Sequence, residues 1–138
     1  MTQDDLKQAI FGSFDGLTSA LGVIAGLLAA GVTDAGRILA AALGLAVAAT
    51  VGMGAGEYLS DTGHDLRRAG VMAGATMTGS LAPALPFAFG YGTPQLTASV
   101  AVTAAGGLLI GRFRGYRVTF AILAVVAVLT VGLSALVA

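Results

Sequence analysis

Two carboxylates stand inside apolar sequence in this chain: Asp15, in Phe11-Gly-Ser-Phe-Asp-Gly-Leu-Thr-Ser19, and Glu57, in Gly52-Met-Gly-Ala-Gly-Glu-Tyr-Leu-Ser60. They are the only acids flanked on both sides by sequence apolar enough for a membrane interior. An ionised carboxylate in hydrocarbon costs at least about 2.5–3.5 kcal/mol, so such a residue reads first as part of an ion or proton path. Met53 precedes Glu57 by four residues and shares its helix face. Two hard carboxylates with one soft thioether suit a borderline divalent ion such as Fe²⁺ or Mn²⁺ better than Ca²⁺ or Cu⁺. Asp15, Met53 and Glu57 are therefore the candidate metal ligands. Two plainer roles stand beside this one: Glu57, near a helix end, can snorkel to the headgroups, and a single Met can serve packing alone.

The rest of the chain must hold these groups in a bilayer. Of its 138 residues 57% are hydrophobic and 10% charged, with mean hydropathy +0.90. A soluble domain carries about 25% charged residues, so this composition cannot cover a water-facing surface. The expected class is an all-α membrane protein, a single domain over residues 1–138. Five apolar segments are near the ~20 residues a crossing helix needs: 10–32, 38–59, 69–89, 96–110 and 118–137. Thr33-Asp34 reads as a start for the second helix, and Thr93-Pro94 as N-cap and first position of the fourth. Short connections make consecutive helices antiparallel neighbours. Asp4 and Asp5 beside Lys7, with no small-residue cleavage site, argue against a cleavable signal peptide.

With the N-terminus inside, Lys7, Arg67, Arg68, Arg112, Arg114 and Arg117 face the cytoplasm and only Arg37 faces out. That asymmetry predicts a multi-pass protein with its N-terminus cytoplasmic and its C-terminus outside. Helix rise then places Asp15 about 7–8 Å, Glu57 about 3 Å and Met53 about 9 Å from the cytoplasmic face, in one slab. Gly22/Gly26, Gly52/Gly56, Gly70/Gly74 and Gly107/Gly111 have the spacing of close helix contacts. A five-helix transmembrane bundle with so little bulk encloses little interior, which points to a parallel homodimer, with the Gly22/Gly26 face toward the partner chain. Pro83 and Pro86 are expected to kink or break the third helix and free the carbonyls of Gly79 and Ala82, while Met72 and Met77 read as packing.

Other chemistries find no footing. Cysteine is absent, His64 is the single His and lies in a loop, and no Ser or Thr has a plausible base partner. The 21 glycines contain no phosphate-loop pattern, so no enzyme is expected. No basic patch supports nucleic-acid binding. Asp61, His64 and Asp65 are spaced to share a face if helical and to offer an entry site for a divalent ion. Gly63 and the neighbouring Arg67 and Arg68, which would repel a cation or pair the acids, favour a solvated linker.

The first of these stretches, with its Phe11-Gly12, Asp15-Gly16, Ser19 and Leu21-Gly22 elements, resembles the first-helix signature of the vacuolar iron transporter family. Gly52-Met-Gly-Ala-Gly-Glu-Tyr-Leu-Ser60 is similar to that family's second-helix run, with Gly52 in place of its usual Ser. Ala82-Pro-Ala-Leu-Pro-Phe87 resembles its third-helix Pro-x-x-Pro stretch. The resemblance implies a homodimeric carrier exporting Fe²⁺ or Mn²⁺ from the cytosol, in exchange for protons, along a path at the dimer interface. It makes Asp15 and Met53 pathway residues with Glu57 close behind, the metal being cargo and no cofactor being needed. The long Glu-rich cytoplasmic insert of eukaryotic members is missing, and Ser60–Arg68 is all that joins the second and third spans. That difference opens an alternative: a non-transporting membrane subunit or scaffold that works with a partner such as a ferritin-like protein.

Overall fold

The computed structural model describes residues 1–137, all in helices and short connections, with no strand among them. Helix α1 spans Gln3–Ala29, α2 Ala35–Ser60, α3 Leu66–Leu81, α4 Thr93–Arg114 and α5 Tyr116–Val137. A 3-10 turn, Leu85–Phe89, lies between α3 and α4. Four of these, α1, α2, α4 and α5, are long and apolar enough to cross a membrane. The arrangement is an integral, multi-pass membrane architecture.

Helix α1 begins well before its apolar segment because Thr2 and Asp5 cap it reciprocally. The Asp5 backbone N–H donates to Thr2 Oγ1 at 3.1 Å, and the Thr2 N–H donates to Asp5 Oδ2 at 2.8 Å. This satisfies two of the donors a helix start leaves orphaned. Asp34 caps α2 as expected, accepting from the Arg37 N–H at 2.7 Å. For α4 the cap is Gly92, one residue earlier than expected, with Thr93 at the first helical position and Pro94 at the second.

The third span differs from a single helix over 69–89. Helix α3 has 16 residues, about 24 Å at 1.5 Å per residue, and ends where the Pro-x-x-Pro stretch begins. Pro83 has no N–H to continue the ladder, and the chain turns and re-forms as the 3-10 segment that carries Pro86. The Pro83 carbonyl accepts from Ser99 Oγ at 2.7 Å, which ties the break to α4. Phe87, from the same turn, is buried with Ile24, Ile38, Ala42 and Ala84 in a core at this end of the bundle.

Helix α3 packs between α1 and α2, and α5 packs along α1. Although consecutive in the chain, α3 and α4 are not packed neighbours, since the proline turn carries the chain sideways before α4 starts. Helix α5 is the most apolar helix and buries only Thr119 and Leu123. Its exposed Val125, Val128, Leu129 and Leu133 suit acyl chains rather than water.

Four seams of small residues hold the bundle. A Cβ added to Gly12 would lie 2.6 Å from the Met72 carbonyl, and one added to Gly16 would lie 2.7 Å from the Ser80 backbone nitrogen. Between α1 and α3 the backbones thus touch without side chains between them. Gly54 meets Ala73 of α3, and Gly107 meets Phe120 and Leu123 of α5. Gly22 and Gly26, expected to face a partner chain, instead face Thr130 and Ser134 of α5 in the same chain, so this face is covered from within. Gly52, Gly56, Gly70 and Gly74 meet nothing within 4 Å.

Candidate metal pathway

The N-terminal half of α1, the C-terminal end of α2 and the start of α3 converge at one end of the bundle, and Glu57 sits where they meet. Its carboxylate is 12% exposed and accepts a hydrogen bond from Gln8 Nε2 at 2.7 Å. Arg68 Nη2 lies 3.5 Å from the same oxygen, and Arg68 Nη1 lies 3.6 Å from Asp61 Oδ1. Glu57 is held in protein by these partners rather than free to snorkel. Of the two loop arginines, Arg68 pairs with the loop acid Asp61 as the sequence allows, while Arg67 pairs with Asp5; the Gln8 bond and the Arg68 contact to Glu57 are what the sequence reading missed. Gln8 shares the α1 stripe of Asp15, seven residues away, which is the signal that was available.

The Gln8–Glu57 bond sets the register of α1 against α2. Asp15 lies seven residues beyond Gln8, about 10 Å further from that end, and Met53 four residues inside Glu57, about 6 Å. The three candidate ligands therefore form a staircase and do not share one slab. Depths counted from the apolar boundaries differ from this because α1 extends several residues past its boundary into the polar end.

Asp15 is half-buried, and among the described residues no hydrogen bond or ion pair reaches its carboxylate. Its position is fixed instead by its neighbour Gly16, locked against α3, and by Thr18, which donates to the Phe14 and Asp15 carbonyls at 2.9 and 3.1 Å. Thr50, seven residues inside Glu57 and thus at the level of Asp15, has a buried hydroxyl without a partner. Met53 is half-buried on the Glu57 face. None of the four main cavities among the described residues is lined by Asp15, Met53 or Glu57. Gly79 and Ala82, expected to offer free carbonyls, line an apolar groove with Ser13 and Leu17 on another side of α1. Met72 is buried in the α1–α3 seam, as packing.

The Asp61/His64/Asp65 loop is a cap rather than a ligand cluster. Asp65 accepts from the backbone N–H groups of Arg67 and Arg68, at 2.9 and 3.4 Å, and so starts α3. Asp61 Oδ2 accepts from the Asp65 N–H at 3.1 Å. His64 Nδ1–H donates to the Tyr58 carbonyl at 3.0 Å, the carbonyl being able only to accept. His64 takes φ +49° to do this. No group of three His, Cys, Asp or Glu residues gathers around one point among the described residues.

Beside this loop Arg67 Nη2 donates to Asp5 Oδ2 at 2.7 Å, closing α3 onto the buried capping box of α1. Arg114 lines a cavity with Ile10 and Phe11, which brings the α4–α5 junction to the same end. Lys7, Arg67, Arg68, Arg112, Arg114 and Arg117 thus lie at one end of the bundle, and Arg37 starts α2 at the other. No curated protein and no solved structure matches the chain. The family model described as the VIT family matches residues 6–65, a stretch holding Gln8, Asp15, Met53 and Glu57, so this part of the chain is similar to that family.

Proposed function

We propose that the chain is a secondary carrier that exports Fe²⁺ or Mn²⁺ from the cytosol by proton antiport, through a path at the interface of a parallel homodimer. The family match supports membrane transport of metal ions in general. The single observation behind the site is the unpartnered Asp15 carboxylate, held midway along a crossing helix inside the matched stretch. A carboxylate with no protein partner can bind either a metal ion or a proton, which gives exchange a physical basis. Asp15 and Met53 are the inner ligands, and Glu57 stands at the mouth. Reconstituted into liposomes with an acidic interior, the protein should take up Fe²⁺ and Mn²⁺ and alkalinise the lumen. Uptake unchanged by a protonophore would refute antiport while leaving metal carriage intact.

The end that gathers six of the seven basic residues is the cytosolic one. Reporter fusions should place the N-terminus in the cytosol and the C-terminus across the membrane; both termini on one side would remove the five-crossing topology. For the homodimer, the face available is the α2 stripe through Gly52 and Gly56, which is open where Gly22/Gly26 is covered by α5. Gly52→Leu should shift the detergent-solubilised protein from dimer to monomer on light scattering, and a monomeric wild type would rule out the dimer path.

A second reading, a non-transporting subunit that works with a ferritin-like partner, is favoured by one observation: the α2–α3 loop is a helix cap and no three-ligand cluster collects metal there. Liposomes containing the protein alone separate the two, since a scaffold would carry no metal.

A further inference from the structure

Arg67 and Arg68 are adjacent, yet they are bound in different ways. Arg67 Nη2 reaches Asp5 at 2.7 Å, the length of a charge-assisted hydrogen bond, on a carboxylate that is 2% exposed. Arg68 stays 3.5 Å from Glu57 and 3.6 Å from Asp61, and its buried Nε has no partner. It stands between two acids four residues apart as a counter-charge without forming the short fork an arginine makes when locked. Glu57 already has one short bond, from Gln8. The guanidinium is therefore the loosely held group at the mouth of the pathway.

We infer that Arg68 is a tethered competitor cation: it neutralises Glu57 until a divalent ion takes the carboxylate, then stays with Asp61. The inference rests on the reading of Glu57 as a metal ligand. A divalent ion at Glu57 must displace a positive charge 3.5 Å away, because the two cations repel at that distance. Asp61, already 3.6 Å from Arg68 Nη1, keeps the guanidinium paired when Glu57 is taken by the ion, so displacement leaves no buried charge bare. The effect is selective, since a monovalent ion gains less from the carboxylate than a divalent one and competes less well with a fixed guanidinium.

Calorimetric titration of Mn²⁺ into the purified full chain tests this. Arg68→Gln should bind Mn²⁺ about 5-fold more tightly, the size expected from removing one part-exposed ion pair. Arg68→Lys, which keeps the charge, should stay within about twofold of wild type. Arg68→Met serves as a second neutral variant should the Gln variant fold poorly. The gain should vanish in a Glu57→Gln background. Arg67→Gln should lower the melting temperature and leave Mn²⁺ affinity unchanged, which separates a local competitor from a general change of charge. Unaltered Mn²⁺ affinity in both neutral variants, or a gain that persists without Glu57, would overturn the role of Arg68 alone. Absence of Mn²⁺ binding in wild type and in both neutral variants would instead overturn the metal reading, and this inference with it.

Discussion

Asp15→Asn is expected to abolish Fe²⁺ and Mn²⁺ transport in proteoliposomes while leaving the protein folded. The substitution keeps the size of the side chain and removes only its charge. Because no hydrogen bond or ion pair reaches the carboxylate among the described residues, no packing partner is lost. The melting temperature should therefore hold or rise, since a charge no longer has to be kept in a low-dielectric setting. Metal and proton compete for carboxylate oxygens, so wild-type affinity should weaken as the pH falls. Met53→Leu should produce a smaller loss and shift preference toward harder ions. Transport of Fe²⁺ at wild-type rate by the Asn variant would remove Asp15 from the pathway.

Gly16→Ala is expected to be among the most damaging single-methyl changes in the chain. The new Cβ would lie 2.7 Å from the Ser80 backbone nitrogen and 2.9 Å from its hydroxyl, against a neighbour that is largely main chain. Overpacking of this kind typically costs about 1–3 kcal/mol, and a backbone neighbour that cannot rotate away places Gly16 at the upper end. The α1–α3 seam would open, and Asp15, the next residue, would lose its fixed position. Thermal melts should show a marked loss for Gly16→Ala and none for Gly44→Ala, where nothing lies within 4 Å. Equal melting of the two variants would show that α1 and α3 are not in backbone contact.

The position of Asp15 explains why these two changes act on one site through different physics. The Asn change removes the chemistry and spares the scaffold. The Ala change spares the carboxylate and removes the scaffold that aims it. Measured together, transport and melting temperature separate the two losses.

Much of this protein could be read from residue types and local spacing. Composition alone requires a bilayer, because 10% charged residues cannot cover a soluble surface. The apolar segments located five helices, and Pro83 and Pro86 located the break in the third, since a missing N–H acts wherever the ring is placed. Asp15 and Glu57 stood out because the cost of a charge in hydrocarbon does not depend on the fold. Which glycines touch what depended on tertiary structure. Gly12 and Gly16 lie against α3 while Gly52 and Gly56 face open space, although all have the same spacing. Spacing marks a smooth helix face, but only the rotation of that helix in the bundle decides whether a neighbour meets it. The partners of Glu57 were hidden for the same reason. Gln8, Glu57 and Arg68 lie on three different helices, and what brings them together is the docking of α3 between α1 and α2, a long-range event that no local pattern records.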